Sequence, residues 1–590
     1  MQTSDSGFAF LKGAGIVWAL LGLVFSVSAE TVTFPNEDGS GDISSDAAWG
    51  GAKPALTDTA VINGADCTYT AKSDVEFGFV EVVNPAPGYV SPFTHHSLTL
   101  DMRNSATGAT ADNPRTIRLS GLNSGSYAMD LTARGGVWDF KNGYGSGCLP
   151  TLASNWTEEN SITFSDGAVV KGIATGYYMF WNNTRSRFRL TGGSSFSAST
   201  FWPFNGGTDC SFEVLDGSSC TVGGLQFGRG GSPTEVCTGN RFVVAGQGSR
   251  FEAFGYTDDA VSIGYHSDSL PGSPGNVFCV TNGASVSFSA FVVGSTHSNT
   301  LWLDGGATLS ASTMRVGYRA GATNNLVFVG KSSELYIQDG SCIYLGNVAG
   351  ADGNMLVVSN GYVRTPFLGI GLEGACNNLL RVYGPDAVLD VLYVFDGPTF
   401  RSGATGRGNA LEIDGGATVD WTKSGMIQDL YMGGYAGAVS IGNEVRLRNG
   451  SMFKLSNCYL GHTNSTENVI SIDGGSQVNC KPGYGEVFHV YPGNTLKLTV
   501  PAEGYPEDGS PVLASDFIFD EGSALQIDAS AYRSGPKKCV VFTSWKPLQI
   551  APSVLEAANA ALGKAHTLKL SEDKMTLFLC RHEGLSVIIR

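Results

Sequence analysis

The chain has 590 residues, enough for several ordinary domains or for one elongated repeat domain with caps. Glycine is its loudest signal at 79 residues, while 15% of residues are charged and 42% are hydrophobic, a balance that excludes a disordered chain. A formal net charge of -16 without any basic run excludes a nucleic-acid partner, because phosphates are neutralised by stripes of Lys and Arg.

In chain order, the N-terminus reads as an export signal. Lys12 gives a thin positive flank, "AGIVWALLGLVF" (14–25) is an apolar core, and "SVSAE" offers small residues for cleavage between Ala29 and Glu30. The apolar run is shorter than the roughly 20 residues that span a bilayer, and no later segment approaches that length. Residues 1–29 are therefore read as a signal peptide, and the rest as an exported chain with no transmembrane segment.

Residues 30–160 read as an N-terminal cap and first coils, with "VNPAPGYVSPFTHH" (83–96) as a Pro-containing loop. From 161 to 500 the chain repeats. "LWLDGGATLSASTMRVGYRAGATNN" (301–325) matches "LEIDGGATVDW" (411–421) and "ISIDGGSQVNC" (470–480), with degenerate copies at 162, 188, 212, 278, 356 and 445. Each unit is a short alternating apolar segment, a turn such as Asp-Gly-Gly or Asn-Gly, and a second alternating segment. The turn glycines are Gly167, Gly193, Gly217, Gly283, Gly306, Gly361, Gly416, Gly450 and Gly475. A second anchor is an aliphatic residue, then Gly, then Asn some residues later, as in "VGYRAGATNNL" at 316 and "LGHTNSTENVI" at 460.

A unit of this size cannot close its own core, so copies must stack. The pattern predicts an all-β, right-handed parallel β-helix of about a dozen coils, roughly 60 Å long at 4.8 Å per strand. Leu301, Leu303, Leu309 and Val316 are the expected inward residues, and the pairs Asn324–Asn325 and Asn377–Asn378 suggest asparagine ladders between coils. Residues 501–590 read as a small β-rich cap containing one short helix, "APSVLEAANAALGK" (551–564), started by Pro552 and Ser553 and stopped by Gly563.

The rhythm "NNxLxVxxGAxLxxxxxxVG" over roughly 160–480 resembles the β-helix passenger regions of bacterial autotransporters and their secreted relatives. The segment "GDISSDAAWGGAKPALTDTAVINGADCTYT" (41–70) resembles the module that opens such repeats. The resemblance implies a secreted or cell-surface structural or adhesive protein. A membrane barrel of about twelve ten-residue strands does not fit in the residues after the repeats, so general secretion is expected.

Candidate chemistry is sparse. "GIGLEGACNNLL" (369–380) holds a literal G-x-G-x-x-G in Gly369, Gly371 and Gly374, but lacks the strand–helix context of a nucleotide site and occupies one copy of the repeated corner. Asp258–Asp259 and Glu158–Glu159 are adjacent acids, which point to opposite faces of a strand and so read as solvated loop charges. The pair His95–His96 and the turn residues His266, His297 and His462 lack partners at metal-ligand spacing. No catalytic, cofactor or metal residues are assigned. Asn155, Asn182, Asn449 and Asn464 sit in N-x-S/T sequons, and Cys210–Cys220 and Cys539–Cys580 are the candidate disulfides. The aromatics of "GYYMFWNN" (176–183) and "FWPF" (201–204) read as core and corner fillers, or as stacking platforms for carbohydrate. The expected partners are extracellular glycans or a neighbouring cell surface. The alternatives are a polysaccharide lyase or glycoside hydrolase on the same scaffold, and a non-catalytic carbohydrate-binding protein.

Overall fold

A computed structural model describes residues 31–33, 40–54 and, with gaps between strands, 59–140. It then describes 159–582 apart from 174–176, 182, 230–236, 256–260, 266–272, 339–340, 392–405, 423–428, 433–439, 462–464, 481–485 and 507–508. The signal peptide, Glu158, Asp258, Asp259, His95, His266, His462, Asn155, Asn182 and Asn464 lie outside the described residues. So do the side chains of His96 and of "GYYMFWN".

One coil shows how the repeat folds. Strand Thr300–Asp304 lies on the first face of the solenoid, Gly305 and Gly306 turn the chain, and Thr308–Val316 forms the second face and bends into the third. A corner from Gly317 to Asn325 then leads to the next first-face strand, Leu326–Val329. Among the described residues, eighteen first-face strands, from Ser40–Asp42 to Ala524–Asp528, pair one after another in parallel. Each pairs only with the coil before and the coil after, so this is an open ladder. Its seventeen steps span roughly 82 Å at 4.8 Å each, longer than the repeat-bearing sequence alone predicts. The strands outside 161–500 lack the Asp-Gly-Gly signature yet wind into the same sheets.

The second and third faces fuse where strands are long. Thr308–Ala311 pairs with Glu334–Ile337 on the second face, and Met314–Val316 pairs with Ile343–Leu345 on the third. Toward the C-terminus the third face becomes a separate parallel sheet, from Asp429–Met432 to Gln549–Ile550. The parallel β-helix expected from the sequence is the fold observed.

Alternation places every second residue inside, and Leu301, Leu303, Leu309 and Val316 are all buried. Phe188, Phe212, Phe242 and Phe278 occupy one inward column, with ring centroids 4.8, 4.7 and 4.6 Å apart. That column continues as Leu301, Val327, Leu356, Leu380 and Leu411, so the core changes from aromatic to aliphatic along the rod.

The corner before the first face carries a ten-membered asparagine ladder: Asn240, Asn276, Asn299, Asn325, Asn354, Asn378, Asn409, Asn443, Asn468 and Asn494. The backbone N–H of each of the first nine donates to Oδ1 of the next, at 2.9–3.2 Å. Most of their side-chain amides also donate to the next Oδ1. The residue before every ladder asparagine has positive φ. It is Asn324 or Asn377 in two coils, Ser298 and Glu467 in two others, and glycine in the remaining six. The "NN" pairs thus divide their labour, the first asparagine turning the chain and the second joining the ladder.

Corner glycines are of two kinds. At Gly306 the φ of +78° is the only demand, because a Cβ there would meet nothing within 4 Å. At Gly371 φ is +69°, and a Cβ would also strike Asn409 of the next coil. Gly361 departs from the expected pattern, since the left-handed residue of that turn is Asn360.

The C-terminus stops the solenoid by reversing direction. Lys538–Thr543 pairs antiparallel with Thr576–Arg581, which pairs antiparallel with His566–Leu570. Helix Pro552–Leu562 packs against the last first-face strand, Ala524–Asp528, and covers the end of the core. No described helix is long and apolar enough to cross a membrane.

Both expected disulfides fail. Cys210 sits at the ladder corner and Cys220 inside the second face, with the five-residue strand Ser211–Leu215 between them, roughly 16 Å of chain. Cys580 lies opposite Lys538 in an antiparallel pair, while Cys539 lies opposite Leu579, so the two thiols face opposite sides of the sheet. All four are free thiols.

Candidate functional site

The described chemical candidates are dispersed. Glu159 turns a corner at φ 59° and pairs with Arg185 at 2.9 Å. His297 is exposed, with Nδ1 3.3 Å from the Ser298 hydroxyl, and its carbonyl accepts from ladder residue Asn299. Gly369 lies in strand Phe367–Ile370 and Gly371 is the ladder corner, so "GIGLEG" is backbone architecture. Phe201 and Phe204 are core residues. Trp202 faces outward, with the Arg229 guanidinium 3.8 Å above its ring. Asn449 stands at a turn and donates 2.6 Å to Asp414. Among the described residues no group of three metal-ligating side chains forms.

Two charged places were not anticipated. On the first face, Glu412 accepts from Arg448 at 3.1 Å, and Asp414 accepts from Arg381 at 3.1 Å. Burial raises the Asp414 pKa, but hydrogen bonds from Asn449, the Gly415 N–H and Arg381 outweigh it, and its carboxyl ends below the ordinary range. At the C-terminal cap, a cavity of about 530 Å³ is lined by Tyr532, Arg533, His566, Arg581 and His582 among others. Its Arg581 is committed to structure, donating to the Arg533 and Gly535 carbonyls at 2.6 and 3.2 Å.

The second face carries a more distinctive feature. In two successive coils the first three outward positions of the strand are small hydroxyl residues: Ser285, Ser287 and Ser289, then Thr308, Ser310 and Ser312. The coil before presents Arg250 and Glu252, and the coil after presents Glu334 and Tyr336. Long side chains on both sides of two short rows leave a depression of about 280 Å³. It runs along the strands and crosses the rod, two coils wide. Phe254, just past the end of strand Arg250–Ala253 and outside the lining of the depression, is 44% exposed, unusual for a large apolar side chain.

The floor is partly organised. Ser310 donates to Ser287 at 3.2 Å, Ser312 donates to Gln338 at 3.1 Å, and Ser289 donates to the Gly255 carbonyl. The remaining hydroxyl capacity faces outward. A slot with a hydroxyl floor, an aromatic side chain on one wall and one cation among two carboxylates suits a polyhydroxylated ligand. Glu252 and Glu334 stand three strand steps apart, roughly 14 Å, beyond the 5–10 Å that separates paired glycosidase carboxylates.

The sequence does contain this slot. "SVSFS" and "TLSAS" each begin two residues after a turn glycine, Gly283 and Gly306, so their serines align once the register is known. The chain matches no known family model, no curated protein and no solved structure.

Proposed function

We propose that this is an exported, extracellular or cell-surface β-helical rod that serves as a structural and adhesive element and holds a carbohydrate chain in the transverse slot of its second face. One observation carries the reading: four outward hydroxyls in two rows, Ser285 and Ser287 beside Thr308 and Ser310, walled by Arg250 and Glu252 on one side and by Glu334 and Tyr336 on the other. Sugars are recognised by hydroxyl and charged hydrogen-bonding groups together with apolar ring faces. The rod supplies rigidity, because each wall residue stands on a strand bonded to neighbours on both sides. The resemblance to secreted autotransporter-like repeats and the N-terminal export signal support a place outside the cytoplasm. Binding without turnover is the expected behaviour.

The test is a glycan array followed by calorimetry on the purified chain. Oligosaccharide binding that Ser287→Arg abolishes by filling the floor supports the reading. Release of cleaved or unsaturated sugars, lost in Glu252→Gln or Glu334→Gln, overturns it in favour of an enzyme. Fractionating the source cells then shows whether the protein stays at the surface or is released.

A further inference from the structure

The first face departs from simple alternation in its middle coils. Strands there read "VFCVT", "TLWLD", "LVFV" and "MLVVS", apolar at most of their first two outward positions as well as inward, with Thr281, Asp304 and Ser359 at the third. Outward Val277, Trp302, Leu326, Phe328, Met355 and Val357 form one stripe, each only partly buried, and Trp302 stacks on Phe328 at 3.9 Å. Parallel strands that are apolar on both sides are characteristic of sheets covered on both faces. Here the inner side is the solenoid core and the outer side faces away from the chain's own fold.

We propose that a second copy of this chain covers the stripe, in an antiparallel, face-to-face dimer whose two-fold axis passes near Phe328. A two-fold makes one patch complementary to itself, so coils equally distant from Phe328 must meet. Going outward, the Trp302 coil meets the Met355 coil, Trp302 against Val357, and at the next step Val277 meets Leu379 while Cys279 meets Arg381. At the third step Arg241 faces the coil of Glu412 and Asp414. At the fourth, Glu213 faces the coil of Glu444, Arg446 and Arg448, which is net positive, and at the fifth Arg187 and Arg189 face Asp473. Coils of opposite net charge meet at each outer step, beyond the ion pairs that Glu213, Glu412 and Asp414 already make within each copy, whereas a parallel arrangement in the same register sets each charge against its own copy. The area also fits: eleven coils by one five-residue strand is roughly 800 Å² per copy, the size of a standard stable interface.

The experiment is sedimentation equilibrium of the full purified chain, wild type and Phe328→Arg, with circular dichroism and melting as controls for folding. The wild type is expected to be dimeric at about 10 μM, and Phe328→Arg to weaken the dimer at least about ten-fold, the loss of one central anchor, without lowering the melting temperature. Orientation is read by cross-linking. Phe328→Cys should oxidise to a dimer with itself, and Val277→Cys should cross-link to Leu379→Cys. A wild type that stays monomeric at about 100 μM, or a dimer indifferent to Phe328→Arg, overturns the proposal. So does a monomer that sediments with lipid vesicles or insoluble polysaccharide only while Phe328 is intact, which would assign the stripe to a different occupant.

Discussion

A Cβ placed on Gly371 would lie 2.1 Å from Nδ2 of Asn409, the ladder residue of the following coil. The left-handed φ of the glycine and the asparagine above it are therefore one device: the corner admits only glycine because the ladder passes through the space a side chain needs. Gly294 stands in the same relation to Asn325, and Gly317 to Asn354. Gly371→Ala should cost more than Gly306→Ala. The latter meets only the left-handed penalty of about 1–2 kcal/mol, and the former adds displacement of Asn409. Denaturant midpoints of the two variants check the difference.

The ladder makes a second, sharper prediction. Asn325 Oδ1 accepts the Asn299 N–H at 2.9 Å, and its amide donates 2.9 Å to Asn354. Asn325→Leu should orphan buried groups on both neighbours at about 1–3 kcal/mol each. Asn324→Gly, one residue earlier, should be nearly neutral, because only the φ of 56° is needed there. If the two variants melt alike, the ladder is not what holds the corner.

The sequence showed the repeat, the faces and the corner slot, because Leu301, Leu303 and Gly306 obey strict local rules of alternation and turn chemistry. The ladder's extent was harder to see, since "GN" at 239, 275, 353, 408, 442 and 493 serves as well as "NN". The slot was missed because it exists only between coils. Ser287 and Ser310 are unremarkable singly, and only register lays them side by side. The stripe is illegible for the converse reason: Trp302 and Phe328 sit in apolar strands whose inward and outward positions read alike until register is known.

Tyr336→Ala should weaken oligosaccharide binding by roughly ten-fold, the order of one lost aromatic contact, and leave the melting temperature unchanged, since the ring lies outside the core. Ser310→Tyr, which fills the floor, should weaken binding further. Calorimetry with the array's best ligand measures both.

Acid should loosen the first-face cluster. Asp414 and Glu444 both carry lowered pKa values. Burial raises each, but hydrogen bonds outweigh it, from Asn449, Gly415 and Arg381 at Asp414 and from Arg446 and Ser471 at Glu444. A carboxylate held below its unfolded value contributes stability above that value and loses it as protons bind to the native state. Stability should therefore fall as pH drops below about 4, and more shallowly in Arg381→Met. Urea midpoints between neutral and acid pH give both slopes.

The thiols offer a fifth check. Burial pushes Cys210 up to about 12 and Cys220 and Cys458 well above their ordinary value. At mildly alkaline pH these sites should resist thiol reagents in the native protein and label only on unfolding. Peptide mapping after labelling in buffer and in denaturant separates them from the partly exposed Cys376 and Cys580.

Because Asn299 and Asn325 hold equivalent places, the 26 residues from one to the other form a closed unit of chain whose two ends join identical neighbours. Removing or duplicating such a unit leaves every surviving corner with a partner above and below. Recombination between repeats can therefore change the reach of this molecule in increments of about 4.8 Å without redesigning its ends, whereas loss of the 299–325 unit itself would also remove Thr308, Ser310 and Trp302 from its faces.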